Sequence, residues 1–438
     1  MSSASWVAAW VALAGSGLAT AAFSQTPAEE AFAGARAWTV QIRGAVEQPF
    51  IEDQLGSFSG AGLVVNATRG WVLTNAHVAT HSHSVLAINF ASGEPLRAER
   101  LYVDPHLDLA VIRYDPAKLE KPPVTPQLEC DTLPPVGHPV GAFGHPWGFR
   151  FTGTRGITSA ITSRLGPTMV QTDAPINSGN SGGPLISLET GRVVGINAAK
   201  IGGEDVEGLS FAVPMPYACT LLELLAAGRD PSPPGSLVDF AIDEYGDHTL
   251  TVARSRLPAG ALDLRVGDEV LAAGADGRAV GTPSDLFDAL RGSLDRVTLR
   301  VRRSGGEVSV EGRWPGAPSI LARRGLTVAG ALFAEAEVMT HGHLSSDYAL
   351  MVHSVEPGSG AEVLDVESFD VLVSADGQRV PSLEALAGIA ARAREAGRPV
   401  QLMLLRFAPE GDVRLFEFHG RSLPVEDAAW VEAPRRRR

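Results

Sequence analysis

Gly179-Asn180-Ser181-Gly182-Gly183-Pro184 decides the reading of this 438-residue chain. Glycines on both sides of Ser181 remove Cβ clashes, so the turn can tighten and its backbone N–H groups can converge on one point. Convergent N–H groups stabilise negative charge as it develops on a carbonyl oxygen. A serine hydroxyl alone is a weak nucleophile: it needs a base, and the base needs an orienting partner. Both stand upstream, in Thr74-Asn75-Ala76-His77-Val78 and in Leu107-Asp108-Leu109-Ala110-Val111. The order His, Asp, Ser along the chain points to acyl transfer through a covalent intermediate.

Gly179 to Gly183 also satisfies the nucleophile-elbow pattern of α/β-hydrolases. That motif occupies a strand-to-helix turn and takes its acid and histidine from later in the chain. Here Leu185-Ile186-Ser187-Leu188, the turn Glu189-Thr190-Gly191-Arg192, and Val193-Val194-Gly195-Ile196 read as a hairpin. No later histidine has a setting like that of His77, so the elbow reading is set aside.

Composition bounds the partners. With 37 basic and 50 acidic side chains the formal charge is −13, the wrong sign for a nucleic-acid partner. The closing run Arg435 to Arg438 reads as an exposed tail. Cys130 and Cys219 are too few for a disulfide framework and too isolated for a metal site; they are either buried apolar residues or one bridge. Trp6 to Phe23 is apolar and uncharged and closes on Ala19-Thr20-Ala21-Ala22, like a signal peptide before its cleavage site, although no basic residue precedes it. The alternative is an uncleaved anchor and membrane attachment through this segment. Either way the chain works outside the cytoplasm.

From Trp38 to Pro214, short apolar strands alternate with Gly, Pro and Asn turns, as in an all-β barrel or sandwich. Gly60 to Val65, a turn at Asn66 to Gly70, and Trp71 to Thr74 form a hairpin that delivers His77 at its end. Asn66-Ala67-Thr68 fits an Asx-type turn as well as it fits a glycosylation acceptor. A helix is expected from Tyr217 to Ala227, stopped by Gly228, and the prolines between Asp230 and Ser236 read as a linker. Beyond it a repeat appears: Ala275-Asp276-Gly277 returns as Ala375-Asp376-Gly377, and Pro283-Ser284 as Pro381-Ser382. Each copy continues into a helix (Asp285 to Leu290; Leu383 to Ala391) and a strand (Val297 to Val301; Val400 to Leu405), then a short strand at Val308 or Val413. A spacing near one hundred residues means a duplicated domain, because solenoid repeats are about 20–50 residues long.

Together these stretches resemble the HtrA/Deg family of serine proteases, as do Gly144-His145-Pro146-Trp147-Gly148, Thr172 to Asn177 and Phe211-Ala212-Val213-Pro214. The resemblance implies a mainly β chain: a chymotrypsin-like protease domain of two six-stranded barrels, with the site in the cleft between them, followed by two PDZ-like α+β modules. The expected boundaries are 1–26 for the leader or anchor, 30–228 for the protease and 229–236 for the linker. The modules follow at 237–316 and 320–425, and the tail at 426–438. It also implies a homotrimer or larger assembly, unfolded protein substrates, a periplasmic setting, and no metal or organic cofactor. Two residues depart from the family pattern: Ser178 stands for proline and Trp147 for a smaller apolar residue.

The resemblance carries roles onto single positions. Ser181 is the expected nucleophile, His77 the base, and Asp108 the residue orienting it; Asp104 is a rival acid, but the family acid directly precedes Leu-Ala-Val. Gly179, Asn180 and Ser181 are expected around the oxyanion. Ile176, Ile196 and Ala198 are expected to narrow the specificity pocket, which has no acid to hold Lys or Arg. In the second module Gly325 and Leu326 are the expected peptide-carboxylate nest, whereas Asp239 would repel a carboxylate from the first; mere packing is the alternative for both modules. His81-Ser82-His83 reads as a solvated loop, and His138 and His145 receive no catalytic role. The competing function on the same fold is an inactive holdase or peptide-binding scaffold.

Overall fold

Apolar strands this short cannot bury themselves singly, and closing a sheet on itself removes its exposed edges. The computed structural model describes residues 25–432 except 165, 201–208, 247, 337–347, 411–412 and 427. Trp6 to Phe23 and Arg435 to Arg438 lie outside the described residues. Among the described residues no helix is long and apolar enough to cross a membrane.

An N-terminal helix α1 (Pro27–Trp38), capped by Thr26 with Glu29 in return, precedes the first barrel. That barrel contains β1 (Thr39–Val46), β2 (Gly56–Asn66), β3 (Trp71–Thr74), β4 (Ser84–Asn89), β5 (Leu96–Asp104) and β6 (Leu109–Tyr114), closed in the order β1-β2-β3-β6-β5-β4. One turn of helix, α2 (Ala76–Ala79), follows β3. The second barrel is β7 (Pro139–Gly144), β8 (Thr152–Thr162), β9 (Met169–Thr172), β10 (Pro184–Ser187), β11 (Val193–Lys200) and β12 (Ser210–Pro214), closed as β10-β11-β12-β9-β8-β7. The hairpins expected from sequence are present, with Leu63 opposite Leu73 and Leu185 opposite Gly195. The Asn66 side chain accepts the Arg69 N–H at 2.9 Å, so the Asx-turn is formed. Leu63, Leu73, Phe143, Ile196 and Phe211 share an apolar seam with α1 and with α3 (Met215–Ala226). Cys130 and Cys219 form a disulfide with Cα atoms 5.7 Å apart, tying the strand-poor entry to the second barrel onto α3.

Residues 229–236 are no loose tether. Pro231, Pro233 and Pro234 are buried, the Pro231 carbonyl accepts the Tyr102 hydroxyl at 3.2 Å, and Gly235 N–H donates to Pro315 at 2.8 Å. The first module contains β13 (Val238–Ile242), β14 (His248–Ser255), β15 (Glu269–Ala273), β16 (Arg278–Ala279), α4 (Pro283–Leu290), β17 (Val297–Arg303) and β18 (Gly306–Gly312), in sheet order β13-β14-β15-β17-β18 with β16 beside β15. The second contains β19 (Gly325–Val328), β20 (Ala331–Glu335), β21 (Leu350–Val355), α5 (Gly360–Val363), β22 (Val371–Ala375), α6 (Leu383–Glu395), β23 (Val400–Glu410), β24 (Val413–Leu423) and β25 (Ala429–Val431), in order β24-β23-β22-β21-β20-β19-β25. The helices of the repeat are capped alike, by Thr282 and Ser382.

The two expected peptide sites have different strand surroundings. Gly325 opens a strand that is paired on both sides, with Val431 of β25 opposite it, and Leu326 lies opposite Phe333 and Trp430. The left-handed pair is instead Ala329 and Gly330 (φ 53° and 87°) in the turn between β19 and β20. The Gly325–Leu326 nest is therefore corrected: these residues are strand interior, and Gly325 is small because a Cβ would meet Leu332 at 2.5 Å. In the first module no strand among the described residues covers the outer edge of β13. Asp239 is not a free repelling charge there either. Burial opposes its ionisation, but Arg256 and Arg254 outweigh that and hold its carboxyl below the usual range, at 2.9 and 2.7 Å.

The second module is clasped by the loop between β1 and β2. Phe50 N–H donates to Ser82 Oγ at 2.7 Å and Ile51 N–H to His353 Nδ1 at 3.2 Å. Glu52 forms a two-pronged pair with Arg323 at 2.8 and 3.0 Å, and the same guanidinium lies over the Phe50 ring. His81-Ser82-His83 is part of this clasp rather than a solvated loop. Its Ser82 is buried and donates its N–H to Asp53 at 2.6 Å, and His83 Nε2 meets the Arg323 carbonyl at 3.1 Å.

Two outcomes follow. Replacing Cys130 and Cys219 by Ser should lower unfolding free energy by about 2–4 kcal/mol in a urea titration, since the bridge closes a long loop. A chain ended at Ala428 should bind a labelled peptide of residues 426–436 at the vacated β19 edge, with the intact chain binding none in the same fluorescence titration.

Candidate active site

The site is assembled from the ends of strands. Strand β3 ends at Thr74, whose hydroxyl donates to the Ala61 carbonyl at 2.7 Å, and α2 then presents His77. Strands β5 and β6 are joined by Pro105 to Asp108, with Asp104 opposite Leu109. Asp108 adopts φ 52°, a left-handed conformation that few non-glycine residues hold without support. The support is Asn75, whose Nδ2 donates to the Asp108 carbonyl at 2.8 Å.

His77 is fixed to Asp108 twice. Its backbone N–H donates to Oδ1 at 3.0 Å, and its ring Nδ1 lies 2.8 Å from Oδ2 and 3.0 Å from Oδ1. A carboxylate at Nδ1 selects the tautomer with the proton there, which leaves Nε2 free to accept another. Burial depresses the His77 pKa, but the hydrogen bond and charge of Asp108, with Asp53 behind them, outweigh it and leave the pKa raised. The ring remains 43% exposed, open to a substrate.

Ser181 comes from the second barrel, in the loop between β9 and β10. Its carbonyl accepts the Ala61 N–H of the first barrel at 2.8 Å. Gly182 has φ 80°, and a Cβ there would lie 2.1 Å from Thr74 Oγ1 and 2.2 Å from the Ala61 carbonyl. Gly179 has φ 104° and is pressed as closely against the His145 carbonyl. The N–H groups of Asn180, Gly182 and Gly183 are spent on Asn177, Asn197 and Asn180, whereas those of Gly179 and Ser181 have no partner among the described residues. Of the three residues expected around the oxyanion, Asn180 has its backbone N–H committed to the turn. Ser181 Oγ donates to the Ala198 carbonyl at 3.3 Å.

His145 braces this loop without sharing its chemistry. Its N–H donates to Gly179 at 3.1 Å and the next residue but one, Trp147, donates to Ser178 at 2.9 Å. Burial pushes the His145 ring down to about 4, so it stays neutral, and its Nδ1 accepts the Phe151 N–H at 3.2 Å. Asp104, the rival acid, is turned away: it is fully buried and paired with Arg291 at 2.6 Å. Of the expected pocket residues, Ala198 touches the nucleophile, but Ile176 packs with Val170 and Ala212 while Ile196 packs in the inter-barrel seam. The structure does not bring those three side chains into one wall. Sequence reasoning missed Asn75, Ala61 and Arg291. Asn75 lay beside His77 in a stretch already singled out, but nothing in the chain marked Arg291.

The profile of the trypsin-like peptidase domain matches residues 60–196, which hold all three of His77, Asp108 and Ser181. A probable periplasmic serine endoprotease, DegP-like, from Pseudomonas fluorescens is 30% identical, over 79% of this chain and 76% of that protein. One of the same description from Halomonas elongata is 31% identical, over 75% and 72%. The chain belongs to the DegP/HtrA family of serine endoproteases. The solved structure of the HtrA-type protease AlgW with a decapeptide shares the fold, with a TM-score of 0.50 and 23% identity over 66% of this chain and 99% of that one.

For a DegP/HtrA protease with this geometry, the acid limb of kcat/KM should have its midpoint above the ordinary imidazole value of 6.5, because protonated His77 cannot take the serine proton. Activity should thus be lost as pH falls through that midpoint. Asp108→Asn should move the midpoint downward and reduce turnover roughly 10⁴-fold. A pH series with a chromogenic peptide checks both.

Proposed function

We propose that this serine endoprotease is an exported, periplasmic enzyme that cuts unfolded or damaged polypeptides through Ser181, His77 and Asp108. The observation that carries the residue assignment is the double attachment of His77 to Asp108, which leaves ring Nε2 without a partner among the described residues, together with a serine loop in which the N–H groups of Gly179 and of Ser181 itself are likewise unspent among those residues. The names of the relatives, periplasmic serine endoproteases, support the compartment and the cleavage of peptide bonds, and the paired cysteines suit an oxidising compartment.

In this reading Ser181 Oγ leaves the Ala198 carbonyl and attacks the scissile carbonyl carbon while His77 Nε2 takes its proton. The oxyanion points at the N–H groups of Gly179 and Ser181, whose dipoles are already fixed before charge develops. Collapse breaks the C–N bond, and the departing amine takes the proton from Nε2. Water then repeats the sequence on the acyl-enzyme, with His77 again accepting and returning one proton, and releases the acid. Asp108 stays ionised throughout and stabilises the imidazolium.

Ala198, whose carbonyl accepts the Ser181 hydroxyl, and the run Pro175-Ile176-Asn177 before the nucleophile, which carries no acid, support cleavage after Val, Ala or Ile. An apolar pocket separates homologous side chains by only about 1–3 kcal/mol, so the preference is broad. Assembly into a homotrimer or larger oligomer is part of the same proposal, as is a leader or anchor in the first 26 residues.

Digesting a reduced and carboxymethylated protein tests the reading. The wild-type chain should degrade it, cutting mainly after small aliphatic residues, and Ser181→Ala should be slower by roughly 10⁴–10⁶-fold. Equal digestion by the two proteins would overturn the nucleophile, and cuts concentrated after Lys and Arg would overturn the pocket reading.

A further inference from the structure

The ion pair between Asp104 and Arg291 joins two domains, and both side chains are fully buried. Arg291 is the residue that caps the C-terminal end of α4 in the first module, whereas Asp104 ends β5 in the first barrel. Nothing in the chemistry proposed above uses either of them. Charges are withdrawn from water at a cost that their mutual attraction repays only when the surrounding hydrogen bonds are also made. Here they are made. The single Tyr102 hydroxyl proton is shared between Asp104 Oδ2 at 3.3 Å and the Pro231 carbonyl at 3.2 Å, and Arg291 also donates to the Pro231 carbonyl.

The other Asp104 oxygen faces the catalytic side. Oδ1 accepts the N–H of Leu107 at 3.0 Å, closing the loop in the manner of an Asx turn. Leu107 is buried, and the residue after it is Asp108 in its left-handed conformation. The same loop is touched again by the module, since the His106 ring packs on Phe287 of α4 with centroids 4.8 Å apart. Helix α4 is itself held to the protease: Asp285 accepts the Tyr217 hydroxyl at 2.9 Å, Asp288 that of Thr220 at 3.2 Å, and Ser284 Oγ the Thr168 N–H at 2.9 Å. Arg291 is therefore presented to Asp104 from a fixed direction.

We propose that Arg291 is a positioning residue of the protease: from the first C-terminal module it orients the Asp104 carboxylate, which shapes the turn that sets Asp108 against His77. The barrels supply all three catalytic side chains, but the acid's loop is completed by a residue more than a hundred positions downstream of the nucleophile. Asp108 depends on this because its backbone conformation is disfavoured and persists only when its neighbours over-determine it. Small displacements of a catalytic group cost up to about 10²-fold in rate.

This inference rests on Asp108 as the orienting acid, and the test separates the two. In the full-length chain, Arg291→Gln, Asp104→Asn/Arg291→Gln and Asp108→Asn are compared with wild type, with kcat expressed per active site titrated by a fluorophosphonate. Arg291→Gln should lower kcat per titrated site roughly 10–100-fold with KM changed less than about twofold, and should broaden or shift the downfield resonance of the His77 Nδ1 proton. The neutral pair Asp104→Asn/Arg291→Gln keeps the acceptor for Leu107 N–H without a stranded charge, so it should recover most of that loss even if the single variant folds poorly. A merely structural Arg291 would reduce the number of titratable sites and leave kcat per site and the His77 resonance untouched; that result overturns the proposal. A double variant no faster than the single one also overturns it. If Asp108→Asn retained wild-type kcat, the assignment of Asp108 itself would fall.

Discussion

The hydrogen bond from Ala61 N–H to the Ser181 carbonyl is the contact on which the rest of the site depends. It crosses from one barrel to the other at 2.8 Å, so the nucleophile loop has no slack relative to β2, the hairpin partner of the strand that leads to His77. Such an approach is open only to a backbone without side chains in the way. Gly60 and Gly182 provide that on the two surfaces, where added Cβ atoms would meet Val78, Thr74 and Ala61 at 2.5 Å or less. The glycines around Ser181 are thus spent twice: on the left-handed turns that leave two amides unpaired among the described residues, and on the docking of one barrel against the other.

Asp108, the proposed orienting acid, is held by a second, wider set of contacts. Asn75 grips its backbone, His77 its carboxylate, and Asp104 the turn before it, with Arg291 behind Asp104. The protease unit is consequently not bounded by its barrels. The proline-rich segment that looks like a tether is buried between them and the first module, and the loop between β1 and β2 reaches into the second. Both modules touch the half of the protease that carries His77 and Asp108.

Local chemistry was legible in the sequence; the use of space between distant segments was not. The GNSGGP turn, the hairpin after it and the strand ending at Thr74 follow from glycine tolerance and two-residue periodicity, which read as a barrel or sandwich; the two barrels and the roles of His77, Asp108 and Ser181 came from the family resemblance. Rejecting Asp104 needed a family pattern, because two acids four residues apart look alike until one is seen buried against Arg291. His81-Ser82-His83 looked polar and hence solvated, yet its partners are Asp53 and Arg323, the latter some 240 residues away. The second module misled most clearly. A glycine between apolar residues signals either a nest or a tightly packed strand, and only the pairing of β19 with β25 shows which one Gly325 serves.

The central claim is that Ser181 is activated by being locked in register across the two barrels. Mass spectrometry of the chain after reaction with a fluorophosphonate, in wild type and in Gly182→Ala, tests this most directly. Wild type should carry a single adduct on the peptide containing Ser181, and a folded Gly182→Ala protein should label at least about 100-fold more slowly, because the added methyl forces the barrels apart. An adduct on another residue, or labelling of Gly182→Ala at the wild-type rate, would contradict the account.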